Sequence, residues 1–552
     1  MELIDQHAKG IMEGCKKRAR DAGLRFEEET LEYVVTNRDL LELSPKVMIP
    51  TLYDYWVHDV EVLKEKGKYE LYPHNPYETV INTRPAISFY NDNNPDWLNV
   101  MIFYHVLAHI DFFQNNYMFR HTWDDDFTGK ALSDKRLIAR LRSEKGRWVD
   151  YVIEFTRGVD NLVGYFHVLY DLNRAPGSLT SPRLDFYFDH FLQNVKKYSQ
   201  NEYLKEIERY NKTLEQFGEI GESMFFSEIS SRYPEFEALF DKHRKERKKP
   251  RLDIIGYISA NSKFLQAEEN QWMKSVMEIV RDTSVFFQPQ IRTKILNEGW
   301  ASYWHERLFL EDDRIKGNEV NFAKVHAKVT ALPRVGLNPY ALGMRLFEYV
   351  RDLASKGRLS YDFQRIQGIQ PRREYEHGNG LGLSAVFDVR ENFSDFTFIN
   401  TFVDQDFVDR YKLFVSGRRI NQQKGVWEYY VKSRNAGEYK NMLLEGLYHP
   451  PHITVDESRA GTQGILYLNH AFEGKPLVRE FIPNTMLGIE YLWGAPVQLE
   501  TTEVVVKEEK TPFDGWGHNL LYGSPKQAEQ NEPTYKRVLY TMKDRKLSKK
   551  DL

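Results

Sequence analysis

The spacing of apolar residues changes once along the chain, and that change constrains the fold more than any other feature. Up to about residue 370 apolar residues recur three and four apart, as in IMEGCKKRARDAG, NEYLKEIERYNKTLEQFGEIGESMF and NQWMKSVMEIVRDTSVFF. This spacing lines them along one face of a helix. Proline and polar clusters such as NDNNPDW and RAPGSLTSP punctuate the segments. After the glycines at 378, 380 and 382 come VWEYYVKS, HITVDES, GILYLNHAF and VQLETTEVVVKEE. These runs are rich in β-branched and aromatic residues and broken by turn formers, which predicts strands. PLVREFIPNTMLGIEYLWG, among them, keeps helical spacing. The expectation is an α+β protein. A large, mainly α-helical domain spans 1–375, a smaller α/β domain spans 385–510, and 511–552 forms a loosely ordered tail.

Composition narrows the chemistry. Cys15 is the only cysteine in 552 residues, so no intrachain disulfide forms. A thiolate zinc cluster is excluded too, and any metal must be held by His and carboxylates. The usage fits a reducing compartment. A net charge of −4 gives no reason to expect nucleic acid. No apolar run approaches the ~20 residues needed to cross a bilayer. The N-terminus lacks the apolar core of a secretory signal. The expected location is cytoplasmic, with no membrane span and no nucleic-acid partner.

Two stretches carry candidate chemistry. The first is YHVLAHIDFFQNN, Tyr104 to Asn116. His105 and His109 are four apart, so on a helix they project from one face. Asp111 points about a third of a turn away. An HxxxH pair is what a helix offers zinc or another first-row divalent metal. It also serves as two half-buried histidines satisfied by backbone or carboxylate, and spacing leaves both readings open. The second stretch is KILNEGWASYWHERLF, Lys294 to Phe309. Glu298 sits among aromatic residues, where a carboxylate is costly unless paired or metal-bound. His305 returns to the same face about 10.5 Å further along the axis. That is too far to share an ion with Glu298, so His305 is assigned a supporting or substrate-facing role, with proton transfer as its candidate catalytic task. The small Ala301 and Ser302 leave room for a close neighbour.

Other stretches carry less. His326, in NFAKVHAKV, is a candidate neighbour of the site or a satisfied core histidine. NPYALG reads as a helix start, with Asn338 capping and Pro339 at the first helical position, a folding role unless Tyr340 points into the site. The Asp124–Asp126 run reads as an acidic loop, and the basic run KHRKERKKPR as a solvated helix end and linker. His449 and His452 share no element that would converge them. GNGLG lacks phosphate-binding spacing, and no serine nucleophile elbow or dinucleotide fingerprint is present.

NEGWASY resembles the segment of gluzincin aminopeptidases that follows their HExxH helix and supplies a third zinc ligand, a Glu. The order of the two segments is the same here. The catalytic Glu of HExxH is replaced by Val106, and the separation is far longer, so an ordinary zincin general base is missing. A longer series runs HVLAHIDFFQNN, FFQPQIRTKILNEGWASYWH, LNPYALGMRLFE, PPHITVDE, GILYLNHAFEGKPL and LWGAPVQLETT. In that order the segments resemble the SpoVR family, named for stage V sporulation protein R. The resemblance covers about residues 35–505. It implies a cytoplasmic protein connected with sporulation and the peptidoglycan of the spore cortex. Relatives also occur in bacteria that do not sporulate, near a serine-kinase partner. The resemblance brings no established reaction. Two expectations follow. One is a metal-dependent hydrolase of a peptidoglycan-related or peptide substrate, with His105, His109 and Glu298 as ligands and His305 as the catalytic group. The other is a non-catalytic assembly or regulatory factor for spore envelope formation.

Overall fold

The computed structural model describes the chain except residues 1, 28, 37–77, 174–180, 199, 248–251, 334, 379, 422–424, 461–463 and 506–533. The protein is α+β, with helices predominating and small sheets. Its contacts divide the chain into two compact units, 1–165 with 254–552 and 166–253. The division expected near residues 375–385 is not where the chain separates.

Helix α1 (Gln6–Asp21) and helix α2 (Asp96–Asn115) open the first unit. Around them runs a four-stranded sheet, β1 (Glu2–Leu3), β2 (Thr30–Val35), β3 (Glu78–Ile81) and β4 (Ala86–Asn91). Its order is β1-β2-β4-β3, with β2 and β4 parallel. This sheet lies inside the segment expected to be helical. Its strands are too short for their alternation to compete with the helical spacing around them. Every residue of α2 from Val100 to Phe113 is buried. A helix apolar on all sides needs neighbours on all sides. Met12, Cys15 and Ala19 of α1 join its core cluster, as do Leu296, Trp300 and Trp304 of α3 (Lys294–Leu310). Helix α4 (Glu319–Val329) follows. Helix α5 (Pro339–Ser355) begins as expected. The Asn338 side chain accepts from the N–H groups of Tyr340 and Ala341, and Pro339 takes the first position.

Helix α3 has no capping side chain of its own at Thr293. Its cap comes from Asp395, the first residue of α6 (Asp395–Phe402), whose carboxylate accepts from Ile295 N at 2.9 Å and Leu296 N at 2.8 Å. Burial pushes the Asp395 carboxyl up to about 7, against these backbone donors. A raised acid favours the protonated fold. Its stabilising contribution is therefore full below about pH 4, near the ordinary carboxylate value, and is lost as pH rises through about 7. Urea unfolding of Asp395→Asn between pH 4 and pH 7.5 is expected to show a flatter pH dependence than the parent, and lower stability at pH 5 because one acceptor is gone. An unchanged slope would remove Asp395 as its source.

Further along, β5 (Val415–Asn421) and β6 (Val426–Ser433) form an antiparallel hairpin. A five-stranded sheet, order β11-β10-β9-β8-β7, closes the unit. Its strands are β7 (His452–Val455), β8 (Leu466–Ala471), β9 (Val497–Val505), β10 (Thr534–Lys543) and β11 (Lys546–Asp551). The parallel pair β8 and β9 is joined through α7 (Ile482–Trp493), the helix expected there. α7 also packs on the helix Trp148–Asp160, where Tyr491 stacks with Trp148. That contact ties the C-terminal sheet to the helical part. The loosely ordered tail is corrected over Thr534–Asp551. Buried Val538, Tyr540 and Met542 alternate along β10, and Asp544 and Arg545, both at positive φ, make the two-residue turn into β11. Residues 511–533 lie outside the described residues.

The second unit is helical, with Gln200–Phe217, Gly221–Arg232 and Phe236–Arg247 around an aromatic core that includes Phe186, Phe191, Phe225 and Phe236. Within it Glu206 accepts from Tyr187, Arg209 and Arg232. The basic run enters the end of the Phe236–Arg247 helix, and its residues 248–251 lie outside the described residues.

Candidate metal centre

His105 and His109 leave α2 on adjacent turns, and Glu298 leaves the first turns of α3. One ligand atom from each lies within 4.8 Å of the other two. His105 Nε2 and His109 Nε2 are 3.1 Å apart. Glu298 Oε2 is 3.5 Å from His109 Nε2 and 3.9 Å from His105 Nε2. Among the described residues no other group of three metal-type ligands converges in this way. The histidines are buried, and the Glu298 side chain is 18% exposed.

Glycine brings α3 and α5 together here. Gly299 and Gly343 face each other with their backbones in contact, and a Cβ on either would collide with the other helix. The close approach expected at Ala301 and Ser302 thus falls at Gly299; both small residues are fully buried beside it. The crossing sets Tyr340 of α5 over the site. Its ring stacks on His105 at a centroid distance of 6.0 Å, and it hydrogen-bonds Glu298.

A shell of polar partners surrounds the three residues. His109 Nδ1 pairs with Asn297 Oδ1 at 2.8 Å. His105 Nδ1 meets His305 Nδ1 at 2.9 Å, and His305 Nε2 meets His326 Nδ1 at 2.9 Å. His326 Nε2 lies 3.4 Å from Glu306 Oε1. His305, expected in a supporting or substrate-facing role, stands directly behind His105. Both its ring nitrogens are engaged, and it is 1% exposed. Asp111 is turned away from the cluster. It accepts from Arg25 N and Trp300 Nε1, with buried Arg390 at 3.6 Å. Asp126 caps the helix Phe127–Lys145, and His449 pairs with Glu473, so neither joins the site.

The electrostatics favour neutral imidazoles and an uneasy carboxylate. Burial pushes His105 and His305 well below the ordinary value of 6.5, and neighbouring histidines push the same way. Burial also raises the Glu298 carboxyl, opposed by His109, Tyr340 and Lys294. Glu298 Oε2 is buried and accepts no hydrogen bond. Such an atom costs about 1–3 kcal/mol, more when charged. Two imidazole nitrogens and a carboxylate oxygen facing one point are a donor set suited to zinc and other first-row divalent ions. The residues present fit such an ion. At the fourth residue class of a zincin the fit ends, because Val106 is fully buried in the apolar core.

These residues lie within the part of the chain that matches a known family. The family model described as SpoVR like protein matches residues 5–447. The chain belongs to the SpoVR family. All eight residues of the site and its shell named above, from His105 to Tyr340, fall within that match, and the C-terminal sheet follows it. This SpoVR-like chain is also 23% identical over 497 residues to the uncharacterized protein YcgB of Escherichia coli (strain K12), covering 85% of this chain and 86% of that protein. No solved structure matches. Among the described residues no helix is long and apolar enough to cross a membrane.

Spacing pointed to His105, His109 and Glu298. It missed Asn297 as a neighbour, named Tyr340 only as a residue that would matter if it pointed into the site, and placed His305 and His326 only loosely. Tyr340 follows the Asn338–Pro339 cap, and whether it faces the site depends on where α5 crosses α3. Asn297 precedes Glu298, and its amide is an unremarkable residue in a helical sequence.

Proposed function

We propose that His105, His109 and Glu298 hold one first-row divalent ion, zinc foremost. On this reading the chain is a metal-dependent hydrolase acting on a peptide or peptidoglycan-related bond during formation of the spore cortex. A cytoplasmic location and the serine-kinase-associated partner implied by the family belong to the same proposal. The observation that carries it is Glu298 Oε2, buried without a hydrogen bond and facing two imidazole nitrogens at 3.5 and 3.9 Å. A bound ion supplies Lewis acidity toward a carbonyl oxygen.

The chain's own residues would do the rest. Asn297 and His305 hold the two imidazoles by their far nitrogens. Tyr340 steadies Glu298 by donating its one O–H to that carboxylate beside the cluster. Val106 cannot move a proton, so proton transfer falls to groups at the Glu298 side, the less buried one. His305 acts through His105 and does not itself reach a substrate.

One observation favours the second reading, a non-catalytic assembly or regulatory factor. His105 is 4% and His109 6% exposed, a depth suited to an ion that staples α2 to α3. The experiment is elemental analysis of protein purified without chelator, followed by assay on peptidoglycan fragments. About one equivalent of metal, and bond cleavage lost on chelation, are expected. Metal without cleavage selects the staple. Metal-free protein that restores full function to a deletion strain overturns both metal roles.

A further inference from the structure

The side of His105 turned away from His109 sits at the head of a row of histidine hydrogen bonds whose far end lies beside a carboxylate. The row runs His105 Nδ1 to His305 Nδ1 and His305 Nε2 to His326 Nδ1, and beyond it His326 Nε2 lies 3.4 Å from Glu306 Oε1 as an ion contact. Its members come from α2, α3 and α4, so nothing local in the sequence aligns them. A neutral imidazole has one N–H and one lone pair, while a carboxylate only accepts. The Glu306 side chain is 32% exposed, so its carboxylate reaches water.

This asymmetry gives the row a direction. The Glu306 carboxylate, 3.4 Å away, favours the N–H of His326 on Nε2, which leaves a lone pair on His326 Nδ1. That lone pair accepts the N–H of His305 Nε2, leaving a lone pair on His305 Nδ1. His305 Nδ1 in turn accepts the N–H of His105 Nδ1. The remaining lone pair of His105 is then on Nε2, the atom 3.1 Å from His109 Nε2 and 3.9 Å from Glu298 Oε2. Asn297 Oδ1 achieves the same for His109 in one step, by accepting from Nδ1.

We propose that Glu306, His326 and His305 are positioning residues that fix His105 in the tautomer with its proton on Nδ1, so that the Nε2 lone pair faces the point shared with His109 and Glu298. The consequence for an ion rests on the metal reading above; the tautomer does not. Partners behind a ligating histidine orient the ring and strengthen it as a donor, and their loss commonly weakens metal binding about 10–100-fold. If the end of the row is removed, His305 is free to place its proton on Nδ1, facing His105. His105, whose ring also bonds the Ala301 backbone, is then driven to carry its proton on Nε2, where it blocks the lone pair.

The test joins two measurements. Solid-state nitrogen spectra of 15N-histidine-labelled protein report which ring nitrogen of His105 is protonated, with His105→Gln providing the assignment. Zinc titration of chelator-stripped protein reports affinity. The unaltered protein should show His105 protonated on Nδ1. His326→Leu should shift that proton to Nε2 and weaken zinc about 10–100-fold. His326→Gln, whose amide accepts at one end and donates at the other, should restore most of the affinity and the original tautomer. A His105 proton on Nε2 in the unaltered protein overturns the inference. So does zinc binding that His326→Leu leaves unchanged. Protein that binds no zinc yet keeps the Nδ1 tautomer, switched by His326→Leu, supports the inference and removes the metal reading instead.

Discussion

Replacing Glu298 with Ala is expected to weaken zinc binding by at least about a hundredfold. Structural zinc sites bind with about 10–16 kcal/mol from four ligands, so one ligand carries about 3 kcal/mol, and every 1.4 kcal/mol is tenfold. The same substitution should change sign in its effect on stability. In zinc-loaded protein it removes the ion and the stabilisation by mass action that goes with it, about 4 kcal/mol at a thousand times the dissociation constant. In chelator-treated protein it removes a buried carboxylate oxygen that accepts no hydrogen bond, so stability should hold or rise. Zinc titration and thermal unfolding with and without chelator check both halves. Loss of stability of equal size in the two conditions would mean that Glu298 is a structural partner of the histidines and nothing more.

The second large effect is steric. Gly343→Ala would put a methyl group against the Ile295 carbonyl and 2.6 Å from Gly299 Cα. No rotamer relieves a clash with backbone, so α5 must move off α3. The expected loss is about 3 kcal/mol or more, at the upper end for overpacked cores. Gly10 in α1 is the control, since nothing lies within 4 Å of its added Cβ. There the ordinary helical advantage of Ala, about 1 kcal/mol, should appear as a gain. Urea unfolding of the two variants should therefore give opposite signs. Because Tyr340 rides on α5 beside Gly343, the Gly343 variant should also lose its zinc. A Gly343→Ala protein as stable as the parent would show that the two helices pack with slack.

Legibility in the sequence followed the range of the interaction. His105 and His109 need only one helical turn to share a face, and that turn is written in HVLAH. The cap at Asn338 is equally local. Glu298 stood out because a carboxylate among Trp300, Tyr303 and Trp304 calls for a partner, though nothing nearby said which one. Its meeting with His109 depends on the crossing of α2 and α3. The row from His105 to Glu306 depends on that crossing and on α4 as well. The cap on α3 comes from Asp395, about a hundred residues later in sequence. Strand β10 was open to reading, since Val538, Tyr540 and Met542 alternate, but the lysines around them resembled a solvated tail. The seam at Gly299 and Gly343 was hidden because a glycine in a helical run reads as a weak point until the opposing glycine is known.

The all-sided burial of α2 has a consequence for synthesis. His105 and His305 are 200 residues apart in the chain. At about 5–20 residues per second, a ribosome takes about 10–40 s to pass from one to the other. Throughout that interval the stretch from Val100 to Phe113 has been made while α3, the helix that buries Trp300 and Trp304 against it, has not. A chain released early, by a stop codon anywhere between the two segments, would carry an apolar rod with no place to put it. Chaperone capture or aggregation is the expected fate of such a fragment, and for this protein α3 is part of what covers the apolar faces of α2.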